Sequence, residues 1–256
     1  MADSRRPAGQ ASRGLYGVVR AVATILIPVF AKLRTEGIEN IPSDGPVILA
    51  LNHISWFDIP LMSVRVPRIT HYMAKMELFQ VPLLGGFLRL TGAFPVRRGE
   101  RDLDALRTAE RLLSEGEVIV IFPEGHRSGT GSLGPGHPGT AYIAMRTGVP
   151  VVPIGIFGTE RTLKGFRFGP FAPRVTVRFG EPFRLGRPAS KRDRTSLPQA
   201  SDQIMRAIAT LLPPEYRGVY SDLGSTAQVA GVSAAANDTG AGATSSTSAG
   251  SIPEQP

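Results

Sequence analysis

The sequence contains no cysteine, which excludes disulfide bonds, thiolate metal ligands and a cysteine nucleophile. Histidine is scarce as well: the four histidines are His53, His71, His126 and His137, and a histidine-based metal site would need most of them. Long apolar runs are also missing. The longest uncharged stretch near the N-terminus, Ala21 to Ala31, is shorter than the about 20 residues that a spanning helix needs. We therefore predict no bound metal ion and no helix that crosses a membrane.

Several common motifs are absent too. Gly129 to Gly134 has the glycine spacing of a dinucleotide-binding loop, but Pro135 and Gly136 follow it, so no helix begins there to hold a pyrophosphate. The serine within Gly125 to Gly129 stands one position away from that of a nucleophile elbow. No P-loop lysine and no RNA-binding aromatic signature is present. These absences argue against a nucleotide-binding loop, a serine acyl-enzyme and a nucleic-acid partner.

The charge is strongly basic. The chain carries 29 basic and 21 acidic residues, a net charge of +8. The segment from Asp222 to Pro256 contains three acidic and no basic residues, so the preceding part has 29 basic against 18 acidic residues, or +11. Such a balance favours an anionic partner, which from charge alone is a nucleic acid, an anionic lipid or a phosphorylated substrate.

The N-terminal region divides into two parts. Residues 1–12 are polar, and we predict that they are disordered. Residues 13–34 are mostly apolar with basic residues at both ends, a pattern typical of a helix that lies in a membrane interface. The alternative is a core helix of a soluble protein. No small-residue cleavage site follows the apolar part, so we do not expect a secretory signal.

Residues 35–221 alternate apolar strands with amphipathic helices. The continuous apolar runs Val47–Leu51, Val118–Phe122 and Val149–Phe157 are typical of buried strands. Arg174–Phe179 alternates apolar and polar residues, which predicts a half-exposed strand near an edge. We predict a single α/β domain with a mostly parallel central sheet flanked by helices. Residues 222–256 are rich in Gly, Ala, Ser and Thr, and we predict a disordered tail.

Val81–Thr91 is more apolar than one core-facing helix surface requires. Pro82 suits the start of a helix there. The excess apolar side chains either pack in the domain or line a groove for an acyl chain near the membrane.

His53 follows the first core strand, and Asp58 follows five residues later. On one continuous helix they would be about 140° apart, so they can pair only if His53 lies in the loop between strand and helix. Ser55 and Asp58 also have the spacing of a helix capping box. Asp58 is therefore either part of a cap or the partner that fixes the imidazole tautomer and makes His53 a general base.

Polar residues follow two other strands. Arg97 and Arg98 come after a short strand, and Glu124, Gly125 and Arg127 come after the second core strand. Ligands of parallel α/β sheets bind outside the carboxyl ends of the strands. Arginine is suited to phosphate because its guanidinium donates two parallel hydrogen bonds, and glycine lets a ligand approach the backbone closely. We interpret these residues as a candidate phosphate-binding site; the alternative for the arginines is a solvated basic surface.

Four motifs in this order resemble those of the lysophosphatidic acid acyltransferase family of glycerolipid synthesis. They are Asn52-His53 with Asp58, then Gly92 to Arg98, then Phe122 to Ser128, then Val149 to Pro153. The resemblance covers roughly residues 15–212. It implies His53 as the base, Asp58 as its partner, and substrate-binding roles for Arg98, Glu124, Gly125 and Arg127. The fourth motif, centred on Pro150, is implicated in packing or acyl-donor binding. His126 departs from the family, which commonly has threonine there.

The resemblance implies transfer of a fatty acyl group from a thioester to a lysophospholipid, with 1-acylglycerol-3-phosphate as acceptor and phosphatidic acid as product. No cofactor is expected; acyl-coenzyme A or acyl carrier protein supplies the acyl group as a co-substrate. The expected partners are the lysophospholipid and an anionic membrane surface, and the expected location is the cytoplasmic face of the cell membrane, as a peripheral or monotopic protein. The alternatives are another lysolipid acceptor, hydrolysis of the thioester, or a non-catalytic lipid-binding membrane protein.

Overall fold

A computed structural model of the chain describes residues 9, 11–97, 102–162, 168–186 and 196–223. The helices are α1 (Arg13–Phe30), α2 (Asp58–Ser63), α3 (Leu84–Leu90), α4 (Leu103–Ser114), α5 (Gly139–Thr147) and α6 (Leu197–Thr210). The strands are β1 (Lys32–Glu36), β2 (Val47–Leu51), β3 (Thr70–Lys75), β4 (Phe94–Val96), β5 (Val118–Ile121), β6 (Val151–Phe157) and β7 (Arg174–Phe179). Short 3-10 helices are Ile38–Asn40, Met76–Gln80, Thr159–Arg161, Gly169–Phe171, Pro214–Tyr216 and Gly218–Tyr220.

The seven strands form one sheet in the order β1-β7-β6-β2-β5-β3-β4. All neighbouring pairs are parallel except β6 and β7, which are antiparallel. The five strands from β6 to β4 therefore run in the same direction, and their carboxyl ends share one edge of the sheet. The prediction of an α/β domain with a mostly parallel sheet flanked by helices is confirmed.

The sheet separates two apolar cores, because successive side chains of a strand point to opposite faces. Ile48 and Ala50 of β2 pack with residues of α4, α5 and α6 on one face. Val47, Leu49 and Leu51 pack with residues of α1, α2 and α3 on the other. The sheet is covered on both sides, as expected for parallel strands whose side chains are continuously apolar.

Helix α1 lies on the surface of the domain. The Tyr16 hydroxyl bonds the backbone N–H and the hydroxyl of Thr70, and Ile27 is the other buried residue of the helix. Within the described part of the chain, α1 is the one helix with the length and apolarity of a membrane-spanning segment, with a mean hydropathy of 1.5 and 11% of its residues buried. A core helix would be mostly buried, so the exposure of α1 disfavours the soluble-core alternative.

The predicted end of the N-terminal helix needs correction, and one prediction about the sheet can be checked. The N-terminal helix ends at Phe30 rather than residue 34, and Lys32–Glu36 forms β1. β1 is the edge strand and pairs with β7, so β7 is the second strand of the sheet, and its residues alternate between buried and more exposed. The prediction that Arg174–Phe179 is a half-exposed strand near an edge is confirmed. β1 contains charged and polar residues only, apart from Leu33, so its pattern does not signal a strand.

The apolar excess of Val81–Thr91 is divided between the core and the surface. Leu88 is buried, whereas Val81, Leu83, Leu84 and Phe87 are exposed. Three other predictions cannot be compared with the structure, because they lie outside the described residues. They concern Arg98, most of the predicted disordered N-terminus (1–12), and the predicted tail (222–256) apart from Asp222 and Leu223.

Candidate active site

Two loops meet at the carboxyl edge of the sheet, because β2 and β5 are neighbouring parallel strands. The loop after β2 contains His53, and the loop after β5 contains Glu124 and Ser128. The backbone N–H of His53 donates to Glu124 Oε1 at 3.0 Å, and the N–H of Ser128 donates to the His53 carbonyl at 2.7 Å. Both backbone polar groups of His53 are therefore fixed by the β5 loop, which places the two predicted site segments against each other.

His53 and Asp58 are paired in a buried position. His53 Nδ1 lies 2.8 Å from Asp58 Oδ2. The same Oδ2 accepts hydrogen bonds from the N–H groups of Ile54 at 2.7 Å and Ser55 at 2.8 Å. Because these N–H groups can only donate, Oδ2 is an acceptor, and Nδ1 of His53 carries the proton. In the neutral imidazole Nε2 is then the acceptor nitrogen, and no group of the described residues hydrogen-bonds to it.

Asp58 has both of the roles predicted for it: it takes part in the cap of α2, and it pairs with His53. Helix α2 begins at Asp58, so His53 lies in the loop between strand and helix, as the pairing requires. The bond from the Ser55 N–H to the Asp58 carboxylate is one half of the capping box. The Ser55 hydroxyl, however, accepts from the N–H of Phe57 at 3.3 Å rather than from that of Asp58. One carboxylate oxygen thus closes the turn and orients the imidazole.

Two residues that support His53 were not identified from the sequence. The ring of Phe122 stacks on the His53 imidazole, with centroids 4.0 Å apart and planes inclined by 27°. Asn52 is buried and exchanges two hydrogen bonds of 2.8 Å with the backbone of Ile156, which ties the end of β2 to β6. Asn52 directly precedes His53, and Phe122 lies two residues before Glu124. The sequence did not predict their contacts, because both contacts are made with residues that are distant in the chain.

Glu124 is buried, with 1% of its surface exposed. Its Oε1 accepts from the His53 N–H, and its Oε2 accepts from the Gly134 N–H at 2.9 Å. Burial raises the pKa of this carboxyl above its ordinary value, while the two backbone N–H groups oppose the rise. The carboxylate therefore links the His53 loop to the segment around Gly134. This position favours a positioning role over direct contact with a substrate.

Gly125 has a φ of +69°, and a Cβ added there would lie 2.9 Å from His137 Cδ2. Its N–H donates to the Phe122 carbonyl at 2.9 Å, closing a tight turn. This turn directs Glu124 inward. A left-handed backbone and a nearby ring both select glycine at this position. The space beside its Cα is therefore occupied by His137 in this structure.

Arg127 is exposed and lies over the ring of Trp56. Its guanidinium carbon is 4.2 Å from the ring centroid, a distance typical of a cation–π interaction. No carboxylate of the described residues lies within ion-pair distance of Arg127. Trp56 was not singled out in the sequence, although it is the single tryptophan and lies between His53 and Asp58. Arg97 is exposed at the end of β4, and the predicted Arg98 is not described.

Within the described ranges, no group of three His, Asp or Glu side chains is arranged to hold a metal ion. The cluster at the carboxyl edge instead combines a histidine oriented by a buried carboxylate with an exposed arginine held over an aromatic ring. The first arrangement can accept a proton from a hydroxyl, and the second can bind an anion.

Comparison with known proteins identifies relatives that share this domain. A family model described as Acyltransferase matches residues 32–157. A 1-acyl-sn-glycerol-3-phosphate acyltransferase of Bacillus subtilis is 33% identical over 169 residues, which cover 66% of this chain and 82% of that protein. A chloroplastic enzyme of the same name from Arabidopsis thaliana is 34% identical over 149 residues, 57% of this chain. The matched region spans only 42% of the Arabidopsis protein and 43% of a similar chloroplastic protein of Brassica napus.

A solved structure shows the same fold. The crystal structure of the 1-acyl-sn-glycerophosphate acyltransferase of Thermotoga maritima superposes with a TM-score of 0.60 at 29% sequence identity. The superposition covers 77% of this chain and 78% of that one.

Proposed function

The chain belongs to the 1-acyl-sn-glycerol-3-phosphate acyltransferase family, and we propose that it transfers a fatty acyl group from a thioester to the free hydroxyl of 1-acylglycerol-3-phosphate, giving phosphatidic acid. The observation that carries the proposal is the buried His53–Asp58 pair at the carboxyl edge of the sheet, in which Asp58 holds Nδ1 and Nε2 is the acceptor nitrogen of the neutral imidazole. The four sequence motifs and the names of the relatives indicate the substrate class.

His53 acts as the general base of a direct transfer. Its Nε2 takes the proton of the acceptor hydroxyl as that oxygen attacks the thioester carbonyl. The carbon–sulfur bond then breaks, and the leaving thiolate takes the proton from the imidazolium. The products are one ester and one thiol. Asp58 stabilises the imidazolium through its bond to Nδ1. Because the chain has no cysteine and no serine elbow, a direct transfer is preferred to an acyl-enzyme.

Arg127 binds the phosphate of the acceptor. The Trp56 ring contacts the guanidinium, and no carboxylate of the described residues pairs with it, so its N–H groups are available to an anion. Those N–H groups can donate two parallel hydrogen bonds to a phosphate. The motif comparison assigns the same task to Arg98, which follows the exposed Arg97 at the end of β4.

Glu124 and Gly125 contribute by shaping the loops. The Glu124 carboxylate fixes the backbone of His53, and the left-handed Gly125 closes the turn that directs this carboxylate inward. In this proposal neither residue contacts the substrate. Glu124 holds His53 in position, and Gly125 holds Glu124 in position.

Helix α1 places the enzyme at its lipid substrate. At 1.5 Å per residue its 18 residues extend over about 27 Å, slightly less than the about 30 Å of a bilayer's hydrocarbon core. Tyr16 and Ile27 hold the helix against the domain, and Arg13 and Arg20 are available to lipid phosphates. We therefore propose that α1 lies in the interface of the cytoplasmic leaflet, as a monotopic attachment.

The test is thiol release from palmitoyl-coenzyme A by the full chain in detergent, with and without 1-acylglycerol-3-phosphate. Acceptor-dependent release that is lost in His53→Gln supports the proposal. His71→Gln is the matched control and should retain activity, because His71 is a buried histidine at the amino end of β3, away from the carboxyl edge that holds His53.

Other outcomes identify the alternatives. Release without acceptor indicates a thioester hydrolase. No release from palmitoyl-coenzyme A, from acyl carrier protein thioesters or with other lysolipids indicates a non-catalytic lipid-binding protein. Comparison of the two thioesters also identifies the acyl donor, since the proposal requires a thioester but does not distinguish coenzyme A from acyl carrier protein.

A further inference from the structure

Exposed apolar side chains are concentrated on one side of the sheet. Of the fourteen large apolar side chains that are exposed among the described residues, twelve belong to α1, the Trp56 loop, the segment leading into α3, and the Phe168–Phe171 turn beside α1. Leu103 and Val219 are the other two, and they belong to elements on the opposite face. If these side chains were exposed at random, both faces of the sheet would carry similar numbers of them. The asymmetry therefore indicates a surface that is covered by something apolar.

The most exposed of these side chains is Leu83, with 92% of its surface accessible. Leu83 also has a φ of +64°, a conformation that is costly for a leucine and that no other non-glycine residue of the described chain adopts. Around it, the Gly85 N–H donates to the Val81 carbonyl at 3.0 Å and the Leu84 N–H to the Pro82 carbonyl at 2.7 Å. The turn therefore has a defined backbone that holds an apolar side chain out in water.

The turn is packed firmly against the domain. A Cβ added to Gly85 would lie 2.2 Å from the Phe79 carbonyl oxygen, so the backbone of α3 lies directly on the preceding 3-10 helix. Phe79 and Leu88 on either side of the turn are buried in the same core as Ile27 of α1. The projection of Leu83 thus follows from the packing of the elements on both sides of it.

The far end of α3 is joined to the start of α1, on the same side of the sheet. The Ser12 N–H, just before α1, donates to the Leu90 carbonyl at the end of α3 at 2.9 Å. Basic groups accompany the apolar ones: Arg89 of α3 lies over the Phe79 ring, and Arg13 opens α1. An apolar surface with basic residues at its margin is complementary to a bilayer that contains anionic lipids.

We propose that the segment Val81–Phe87, here called the α3 tip, is a second membrane contact that inserts Leu83 into an anionic lipid bilayer. Together with α1 it fixes the orientation of the domain, because two separate contacts define a plane of attachment better than one helix does. The exposed Trp56 on the same side then places Arg127 near the lipid phosphates. The inference rests on the proposed function in that the bilayer supplies the acceptor, but insertion is measured without catalysis.

The absence of cysteine allows a direct test with the full chain. Leu83→Cys and Leu103→Cys each create a unique site for an environment-sensitive nitrobenzoxadiazole label. Leu103 is the matched control, because it is an exposed leucine on the opposite face. With vesicles of equal parts phosphatidylcholine and phosphatidylglycerol, we expect a brighter and blue-shifted emission from the label at position 83 and an unchanged emission at 103.

A second pair of variants measures the energetic effect. Leu83→Asp should lower the vesicle partition coefficient by about tenfold, because it removes one buried leucine side chain, and Leu103→Asp should leave it unchanged. The side chain of Leu83 is 92% exposed and makes little packing contact, so the variant should fold. Its thiol-release activity on micellar substrate should be retained, which separates this inference from the proposed function.

Three results would overturn the α3 tip as a membrane contact. The first is an unchanged label at 83 while the protein is bound to vesicles, which would leave α1 as the attachment. The second is a protein that does not bind the vesicles. The third is a label that changes with protein concentration in the absence of lipid, which would indicate contact with a second copy of the chain.

Discussion

The guanidinium carbon of Arg127 lies 4.2 Å from the centre of the Trp56 ring, although the two residues are 71 positions apart. Trp56 belongs to the loop after β2 and Arg127 to the loop after β5. The contact therefore joins the loop that contains the candidate base, His53, to the loop that contains the candidate phosphate-binding arginine. Contact with the ring restricts the arginine side chain, and a restricted arginine loses less freedom when it binds an anion.

Replacement of Trp56 by alanine should weaken binding of the acceptor. A cation–π interaction contributes about 0.5–2 kcal/mol, depending on its exposure, so we expect the KM for 1-acylglycerol-3-phosphate to rise about 2- to 30-fold. The KM for the acyl donor and kcat should change little. Steady-state kinetics with each substrate varied in turn measure this difference.

Trp56→Phe is the conservative variant, and it should restore most of the acceptor affinity because the ring remains. Since Trp56 is the single tryptophan, titration of the unsubstituted protein with glycerol 3-phosphate should also change its fluorescence. Equal effects of the alanine variant on both substrates would indicate a general loss of structure instead of a role in holding Arg127.

Asp58→Asn should lower kcat by about two to four orders of magnitude, the range typical of lost general base catalysis. The asparagine oxygen can still accept from the Ile54 and Ser55 N–H groups, but the negative charge that stabilises the imidazolium is removed. Asp104→Asn, an exposed acidic residue of α4, is the control. An Asp58→Asn enzyme within tenfold of normal turnover would contradict the assignment of His53 as the base.

Gly125→Ala should destabilise the protein by about 1–2 kcal/mol, because it forces a left-handed alanine. Activity should fall as well, since the turn directs Glu124 toward His53. Gly129→Ala in the same loop is the control: its φ is not positive, and a Cβ there meets no atom within 4 Å. Urea unfolding gives the stability of each variant.

The double variant Gly125→Ala with His137→Ala separates the two causes of destabilisation at position 125, which are the contact with His137 and the left-handed backbone. It relieves the contact at 2.9 Å but not the backbone conformation. Full recovery of stability would show that the backbone strain is negligible.

Glu124 should make stability depend on pH. Burial raises the pKa of this carboxyl in the folded state. As pH rises, the unfolded chain therefore loses the Glu124 proton at a lower pH than the folded protein does. The associated stability is fully present below the ordinary glutamate pKa of 4.5 and is lost as pH rises through the raised folded value. Glu124→Gln should remove this loss of stability at higher pH, because glutamine does not titrate. Urea midpoints measured from pH 4 to 8 for both proteins test it, and parallel curves would contradict it.

The buried strands and the His53–Asp58 pair were accessible from the sequence because they depend on local patterns. Val47–Leu51 and Val118–Ile121 are continuously apolar because both faces of the sheet are covered. His53 and Asp58 are five positions apart, so one turn of chain brings them together once the strand ends at Leu51. The order of the four motifs gave the family, which the comparisons confirm.

The remaining features were decided by tertiary structure. The polar segment Lys32–Glu36 becomes a strand because β7 provides a partner, and no local pattern records the presence of that partner. Glu124 meets the His53 N–H, and Arg127 meets Trp56, because β2 and β5 are adjacent in the sheet. Leu83 is exposed because the packing on both sides of it projects the turn outward. Local sequence determined the buried apolar strands and the candidate site residues; the order of the strands determined which of those residues meet, since contacts between distant segments depend on how the whole chain packs.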